Sequence, residues 1–453
     1  MRPILLALWC LSVAATAAAD QLFVPSPEYP TIQSAVDAAV DGDEVVLRDG
    51  VFHPRNIVMP NTAMVIRSES GDPTRVTLLG TRDASGDPSR AFVFSEASSS
   101  DIVVRDLTIA GFHHSRSGGA IDIRVASPTF HNCVFVDNRA TNYGALVSAR
   151  GGALMERGSS AVFIECEFIG NSAAGFVCDA GVGQGFGGAV ATQGDVTFIG
   201  CTFESNRASG ACDGSGRGGA IYCGGGSPRF VNCVFNDNEA IKGSGDVAWV
   251  EYSSASFTGV TSVAQAVGQG DLFCLDGQLR ICGSILRGSG EPVRGFRSAI
   301  TIASSNVEGG FPGEGNIDAD PLFEPGTYRL LPGSPCIDAG NTDLLPPDEF
   351  DLDGDGDTAE PIPFDADGLA RVVDDPATPD TGVGTPVVDM GAFEYRPPCR
   401  ADLTGDGVLD VFDFLAFFNA FDDADPVADF DGDGEFTLFD FLAFQDAFDA
   451  GCP

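Results

Sequence analysis

Oxygen-bearing side chains recur at fixed intervals near the end of this 453-residue sequence. Asp402, Thr404, Asp406, Asp410 and Asp413 stand at positions 1, 3, 5, 9 and 12 of a loop whose position 6 is Gly407. Asp429, Asp431, Asp433, Thr437 and Asp440 repeat the pattern 27 residues later, with Gly434 at position 6. Val408 and Glu435 occupy position 7, where a backbone carbonyl ligates. This spacing suits a hard divalent cation, calcium above all, because such an ion takes about six to eight oxygens and glycine at position 6 permits the sharp turn. Without a cation the crowded carboxylates repel one another. Each loop runs into nearly the same apolar segment, Phe412 to Phe417 and Phe439 to Phe444, so the two form a duplicated loop-plus-helix unit.

Position 12 is Asp where the standard EF-hand has Glu, and the unit spans roughly 55 residues. Both features resemble the dockerin family of duplicated calcium modules, over residues 401–450. The resemblance implies calcium as cofactor and a cohesin-like protein partner. In that family loop positions 10 and 11 help choose the partner; here they are Val411 with Phe412 and Leu438 with Phe439, more apolar than usual. Leu415 and Leu442 share that flank, and these six are the candidate partner-binding residues. Phe414, Phe417 and Phe421 match Phe441, Phe444 and Phe448 at helical spacing and can form a small core. The competing reading makes every phenylalanine core, since a small module has little else to bury. Cys399 and Cys452 flank the module and are expected to clasp it.

What carries this module is set by residues 118–240, which repeat four times. Gly118-Gly119-Ala120 returns at Gly151, Gly187 and Gly218, and Cys-x-Phe-x-x-Asn follows each at Cys133, Cys166, Cys201 and Cys233. The closing asparagines Asn138, Asn171, Asn206 and Asn238 lie 33, 35 and 32 residues apart, a period of stacked supersecondary units. Phe130 and Cys133, three apart, can both point inward only if the chain turns a corner between them. Strand, corner, strand and return describe one coil of a parallel β-helix, with the asparagines stacked as a ladder. Length varies chiefly between each asparagine and the next glycine pair, so residues 139–150, 172–186 and 207–217 form edge loops and are expected to line a ligand surface. The pairing of Phe-x-x-Asn with Gly-Gly-Ala resembles the repeats of the polymorphic outer-membrane protein family, which implies a right-handed β-helix displayed at a cell surface. That family's membrane β-barrel does not carry over to this chain.

Before the repeats, Ile32, Ala35, Val36 and Ala39 space a helix over 31–40 that resembles the N-terminal cap of pectin-lyase-like β-helices. Short β-rich runs follow at 64–66, 76–79, 91–94 and 102–109, and later at 247–250, 279–286 and 299–303. The segments 320–323, 328–335 and 388–394 resemble the closing region of bacterial secreted β-helix proteins. Between them, Asp351, Asp353 and Asp355 with Gly356 form half a calcium loop whose position 12 is Ile362, which cannot ligate. Weak calcium binding and a solvated acidic loop stay open as readings of 351–357.

The formal charge is −40, and Lys242 is the sole lysine. Nucleic acid and anionic membranes are poor partners for such a surface. Residues 1–19 read as a secretory signal peptide, and no later run has transmembrane length. The compartment therefore permits disulfides. Cys178 and Cys212, in consecutive edge loops, are candidates to pair, while the Cys133 ladder stays reduced because stacked Cβ atoms stand too far apart for an unstrained bridge. Asp122, Glu156, Asp195, Arg150 and Arg217 are scattered catalytic candidates that no motif ties together, and His113-His114 reads as a polar turn.

The expected fold is all-β: a right-handed parallel β-helix with a small α-helical dockerin-like, EF-hand-type calcium module. Its parts are a signal peptide at 1–19, the β-helix at 20–340 (cap 20–55), an acidic loop and closing segment at 341–397, and the module at 399–453. The expected function is a secreted, extracellular or cell-surface-associated protein that presents a carbohydrate- or cell-surface-binding edge and docks to a cohesin-like partner. The alternative is a polysaccharide lyase or glycoside hydrolase.

Overall fold

A computed structural model describes residues 19–81, 89–142, 148–175, 183–210, 214–263, 270–288, 291–397, 399–405 and 408–451. Outside it fall residues 1–18 of the expected signal peptide, Cys178, Cys212, Cys452 and Asp406. The chain divides into two compact units, Met1–Ser256 with Ser262–Leu279 and Gly288–Ile300, and Phe257–Thr261 with Arg280–Arg287 and Thr301–Pro453.

The first unit is built from stacked parallel strands. Each repeat contributes one strand to each of several sheets. One repeat runs Leu154–Arg157, Val162–Ile164, Glu167–Ile169 and Ser172–Gly175, and each of these pairs in parallel with its equivalent in the next coil where that strand continues. The corners fall where the odd Phe–Cys offset requires them. Asn132, Glu165, Gly200 and Asn232, each just before a ladder cysteine, take positive φ, as do Asp137, Gly170, Ser205 and Asp237 just before the asparagines. Phe130, Cys133 and Phe135 consequently all face inward and are fully buried.

Stacking at the strand spacing sets the core. Phe130, Phe163, Phe198 and Phe230 stack face to face with centroids 5.0, 4.9 and 5.3 Å apart. Phe135, Phe168, Phe203 and Phe235 do so at 4.7, 4.8 and 4.9 Å, close to the separation of neighbouring strands. The asparagines form the expected ladder: Asn138 Nδ2 donates to Asn171 Oδ1 (3.1 Å), Asn171 to Asn206 (3.0 Å) and Asn206 to Asn238 (3.0 Å). The second glycine of each pair is demanded by close approach. A Cβ on Gly152 would stand 2.0 Å from the Gly188 carbonyl oxygen and 2.5 Å from the Ser172 nitrogen. The ladder cysteines are free buried thiols.

The N-terminal helix, Ile32–Ala38, buries Ile32, Ala35 and Val36 and starts at a capping box on Thr31. Beside it Gln21–Val24, a strand that sequence reading left unassigned, pairs with Glu44–Leu47. Three sequence expectations change. The run at 102–109 is two strands, Ile102–Arg105 and Thr108–Ala110, because Asp106 takes φ 60. The run at 279–286 likewise splits into Gln278–Cys282 and Ile285–Leu286 at Gly283, φ 55. His113–Ser115 is a strand rather than a turn, paired with Arg139–Asn142.

In the second unit Ile285–Leu286 pairs with Asn306–Val307, the last strand among the described residues. Ile285, Leu330, Cys336, Ile337, Ala339 and Met390 form one buried cluster. The helices Val411–Asp422 and Leu438–Ala450 pack through a second, in which Phe417 and Phe444 stack at 4.5 Å. No helix among the described residues is long and apolar enough to cross a membrane.

Candidate functional site

In the nine-stranded sheet of the first unit, side chains alternate between core and exterior. From Asp122 the outward row continues, partner by partner, through Met155, Ala191, Tyr222, Trp249, Phe273 and Arg294. Three aromatics follow in succession; Tyr222 and Trp249 are buried in a cluster with Met155, Phe186 and Ala191, and Phe273 is partly buried against it. Trp249 and Phe273 stack with centroids 4.4 Å apart.

The edge loops supply the other half. Their ends pair in register, Ala149–Arg150 with Gly185–Phe186 and then with Gly216–Arg217, which sets one side chain from each beside the outward row. Phe186 packs edge-on against Tyr222 at 4.8 Å. Arg150 lies 5.3 Å above Phe186, and Arg217 lies 4.6 Å above Trp249. Glu251 accepts from the Tyr222 hydroxyl (2.9 Å) and pairs with Arg217 (3.3 Å). Burial pushes the Tyr222 phenol pKa up, and the Glu251 charge adds to the rise. The loop middles, 143–147, 176–182 and 211–213, lie outside the described residues.

Past Phe273 the row opens into a shallow cleft of about 670 Å³ lined by Phe273, Glu291, Val293, Arg294, Gly295 and Phe296. Phe296 is 58% exposed. Two donors along the row, Trp249 Nε1 and Arg294 Nε, are buried without a hydrogen-bond partner. Aromatic faces, guanidinium groups and unpaired donors can hold a ligand rich in C–H faces and oxygen acceptors.

The scattered carboxylates are not brought together. Asp122 is buried in an ion cluster with Arg124 (2.8 Å), Arg90 (3.8 Å) and Arg157. Glu156 points inward and accepts from Ser159 N (2.5 Å), Thr192 Oγ1 (2.5 Å) and Gln193 N (3.1 Å). Asp195 accepts from Ser227 N (2.7 Å). All three serve turns or ion pairs. Of the five catalytic candidates Asp122 stands in the outward row, held in its ion cluster, and only Arg150 and Arg217 lie over the aromatic side chains. Sequence reading missed Tyr222, Trp249 and Phe273; of these only Tyr222 stands at a repeat position, two after the alanine of Gly218-Gly219-Ala220.

The two acidic loops expected to hold calcium each run into a helix of the second unit. In the second, carboxylate oxygens of Asp429, Asp431 and Asp440 lie within 4.8 Å of one another. Gly434 N donates to Asp429 (3.0 Å), Asp433 N to Asp431 (3.1 Å) and Glu435 N to Asp433 (2.7 Å). Asp429 Oδ1 is buried and has no hydrogen-bond partner, so the donor set fits a cation. Thr437 caps the following helix by accepting from Phe439 N (3.1 Å). In the first loop Thr404 donates through N and Oγ1 to Asp413 Oδ1 (both 3.1 Å), and Asp410 caps its helix by accepting from Phe412 N (2.7 Å). Asp402 receives Gly405 N (2.7 Å), and Val408 is exposed. Burial would raise the Asp413 carboxyl, but the N–H groups of Asp410 and Thr404 outweigh it and hold the pKa low. The Thr437 N–H does the same for Asp440.

Val411, Phe412, Leu415, Leu438, Phe439 and Leu442 are all exposed, Leu438 at 69% and Phe439 at 68%. Phe418 is exposed as well; its counterpart in the second helix is Gln445, so the duplication gave no hint of it. The every-phenylalanine-is-core reading therefore fails at Phe412, Phe418 and Phe439. Cys399 packs at the edge of the module's apolar cluster. In the acidic loop, Asp351, Asp353 and Asp355 gather, while Ile362 is buried and Glu360 joins Asp348 and Asp353 instead.

Residues 91–261 match the family described as right handed beta helix region. No curated protein matches the chain. Among solved structures, pectate lyase Pel9A is 12% identical over 83% of this chain and 97% of its own, with a TM-score of 0.33. A rice weevil pectin methyl esterase is 11% identical over 64% of this chain and 91% of its own, at 0.28. ORF18 of Geobacillus virus E2 is 13% identical at 0.36, and the alignment covers 62% of this chain and 58% of that protein's length. At these TM-scores none of the three bears on what this chain does.

Proposed function

We propose that this chain is an exported polysaccharide-binding β-helix protein that docks to a cohesin-like partner through its C-terminal calcium module. The carrying observation is the open cleft lined by Phe273, Arg294 and Phe296, backed by the buried Tyr222 and Trp249 of the same row. Sugar rings lay C–H faces on aromatic planes, and hydroxyl or carboxylate oxygens answer arginine and indole N–H groups. The binding reading stands ahead of a lyase or glycosidase because Asp122, Glu156 and Asp195 are each committed to structural bonds. For docking, the support is the pair of similar loops with the apolar flank of Val411, Phe412, Leu415, Leu438, Phe439 and Leu442 exposed beside them.

Trp249 is the sole tryptophan apart from Trp9 of the expected signal peptide, so its fluorescence reports on the site. Titration with a panel of uronic and neutral polysaccharides, with and without calcium, should find a ligand that changes this emission. Phe273→Ala and Phe296→Ala should each weaken its binding about tenfold, which corresponds to about 1.4 kcal/mol. Loss of neither affinity nor signal in both variants would remove the cleft from the proposal.

A further inference from the structure

We propose that Asp338, Asp374 and Asp380 form a divalent-cation site, calcium by the chemistry of its donors, separate from the two loops of the helical module. Carboxylate oxygens of the three lie within 4.8 Å of one another. Asp374 and Asp380 are exposed, which by itself would mean little. Asp338 is different: it is fully buried, and neither of its carboxylate oxygens has a hydrogen-bond partner. The Asp375 N–H lies near enough to favour the charged form but falls outside hydrogen-bond geometry. An unpaired buried carboxylate is among the costliest groups a fold can carry unless a cation completes it. The principal charges bearing on Asp338 are those of Asp374, Asp380 and Asp375, all of the same sign.

The backbone is committed to this arrangement. Asp338 takes a left-handed conformation, φ 50. Its N–H donates to Asp389 Oδ1 (2.8 Å), and its carbonyl accepts from Thr381 N (2.9 Å) and Gly382 N (3.0 Å). A Cβ on Gly382 would stand 2.1 Å from the Gly340 carbonyl oxygen, so the limb that carries Asp374 and Asp380 is held close over Asp338. Asp375 is not a ligand in this arrangement, because its carboxylate already accepts from Ala377 N (3.1 Å) and Thr378 Oγ1 (2.7 Å). Three carboxylates leave room for water to complete a coordination shell of about six to eight oxygens. The rival occupant is a proton shared among the three carboxylates.

The test counts ions on the full-length chain by native mass spectrometry in calcium. The parent, Asp338→Asn and Asp374→Asn/Asp380→Asn are compared, each also in an Asp413→Ala/Asp440→Ala background that silences the helical module. Asn tolerates the left-handed backbone and matches Asp in size, so Asp338→Asn should keep the fold. The paired surface variant disturbs no buried group. Each variant should carry one calcium fewer than its own parent, in both backgrounds. Amide exchange at residues 374–382 should slow on calcium addition in the parent and be indifferent to it in the variants. An unchanged count in the surface variant overturns the proposal, as does exchange at 374–382 that ignores calcium in the parent. A fall confined to Asp338→Asn would mark a folding defect and overturn it equally. Because the silenced background isolates this site, failure here leaves the module's calcium loops untouched, and the converse holds.

Discussion

Asn171→Ala tests whether the asparagine ladder holds the coils that present the binding row. Asn171 is fully buried and makes four side-chain bonds. Its Oδ1 accepts from Asn138 N (3.0 Å) and Asn138 Nδ2 (3.1 Å). Its Nδ2 donates to Phe135 O (2.8 Å) and Asn206 Oδ1 (3.0 Å). Alanine leaves the Asn138 N–H without its acceptor, about 1–3 kcal/mol for an orphaned buried donor. The two donated bonds add about 1 kcal/mol each, so the loss should be about 3–5 kcal/mol. In stacked repeats stability is nearly a sum of local and neighbour contributions, so the damage should concentrate near the break. Native-state amide exchange on the full chain is the assay. The Asn138 amide and the strands Arg139–Asn142 and Ser172–Gly175 should lose protection first, while Gln21–Val24 and Glu44–Leu47 stay protected. Asn171→Asp keeps the acceptor but turns a carboxylate toward the Phe135 carbonyl. It should be at least as harmful at neutral pH and recover in part on acidification, when the acid regains a donor. A loss below about 0.5 kcal/mol for Asn171→Ala would refute the reasoning, since that is the range of ordinary surface substitutions.

Chelation of the full chain should speed amide exchange across 401–450 and spare 91–261, and Asp413→Ala with Asp440→Ala should make the module indifferent to calcium. Protection that is identical in chelator and in calcium would contradict the calcium loops and with them the dockerin-like docking. Peptide mapping without reduction should find Cys399 joined to Cys452 and Cys178 to Cys212, with Cys133, Cys166, Cys201 and Cys233 as thiols that label only on unfolding; a reactive Cys399 would remove the clasp. Burial, with the Glu239 charge, raises the Asp246 carboxyl from 3.8 to about 6 against the bond from Ala240 N. A group raised in the folded state contributes stability that is present below its unfolded pKa and fades as pH climbs through the folded one, here from about 4 to about 6. Stability should fall across that window, and Asp246→Asn should flatten the fall; an unchanged slope would show that Asp246 is not its source.

The coil was legible because each of its signals is local. The Phe–Cys offset of three forces a corner, and the left-handed residues Asn132, Glu165, Gly200 and Asn232 sit at that corner. The ladder followed from a repeated asparagine at one position. Splits such as Asp106 and Gly283 were not legible, because a single left-handed residue inside an apolar run leaves no trace in hydrophobic pattern. The outward row was missed for a related reason. Tyr222, Trp249 and Phe273 stand 27 and 24 residues apart, the last two in coils where the glycine and asparagine signals have faded, and an aromatic between apolar neighbours reads as core. Only the register, which pairs all three on the outer face, separates them from the inward phenylalanines.

The calcium loops expose a different limit of sequence reading. Positions 9 and 12 of each loop are also the N-cap and third residue of the helix that follows, and both helices carry a complete capping box there, Asp410 with Asp413 and Thr437 with Asp440. A capping box satisfies helix-terminal N–H groups without any metal. The acids at position 12 therefore have a structural reason to exist, and neither they nor the caps can argue for calcium alone. What tips the balance is Asp429 at position 1, whose carboxylate is part of neither capping box and keeps Oδ1 buried and unpaired beside Asp431 and Asp440. Coupling the two roles makes physical sense. A carboxylate that closed the shell around a cation there would also start the helix, so the ion would order the helix end and with it Leu438 and Phe439, the exposed residues of the proposed docking flank.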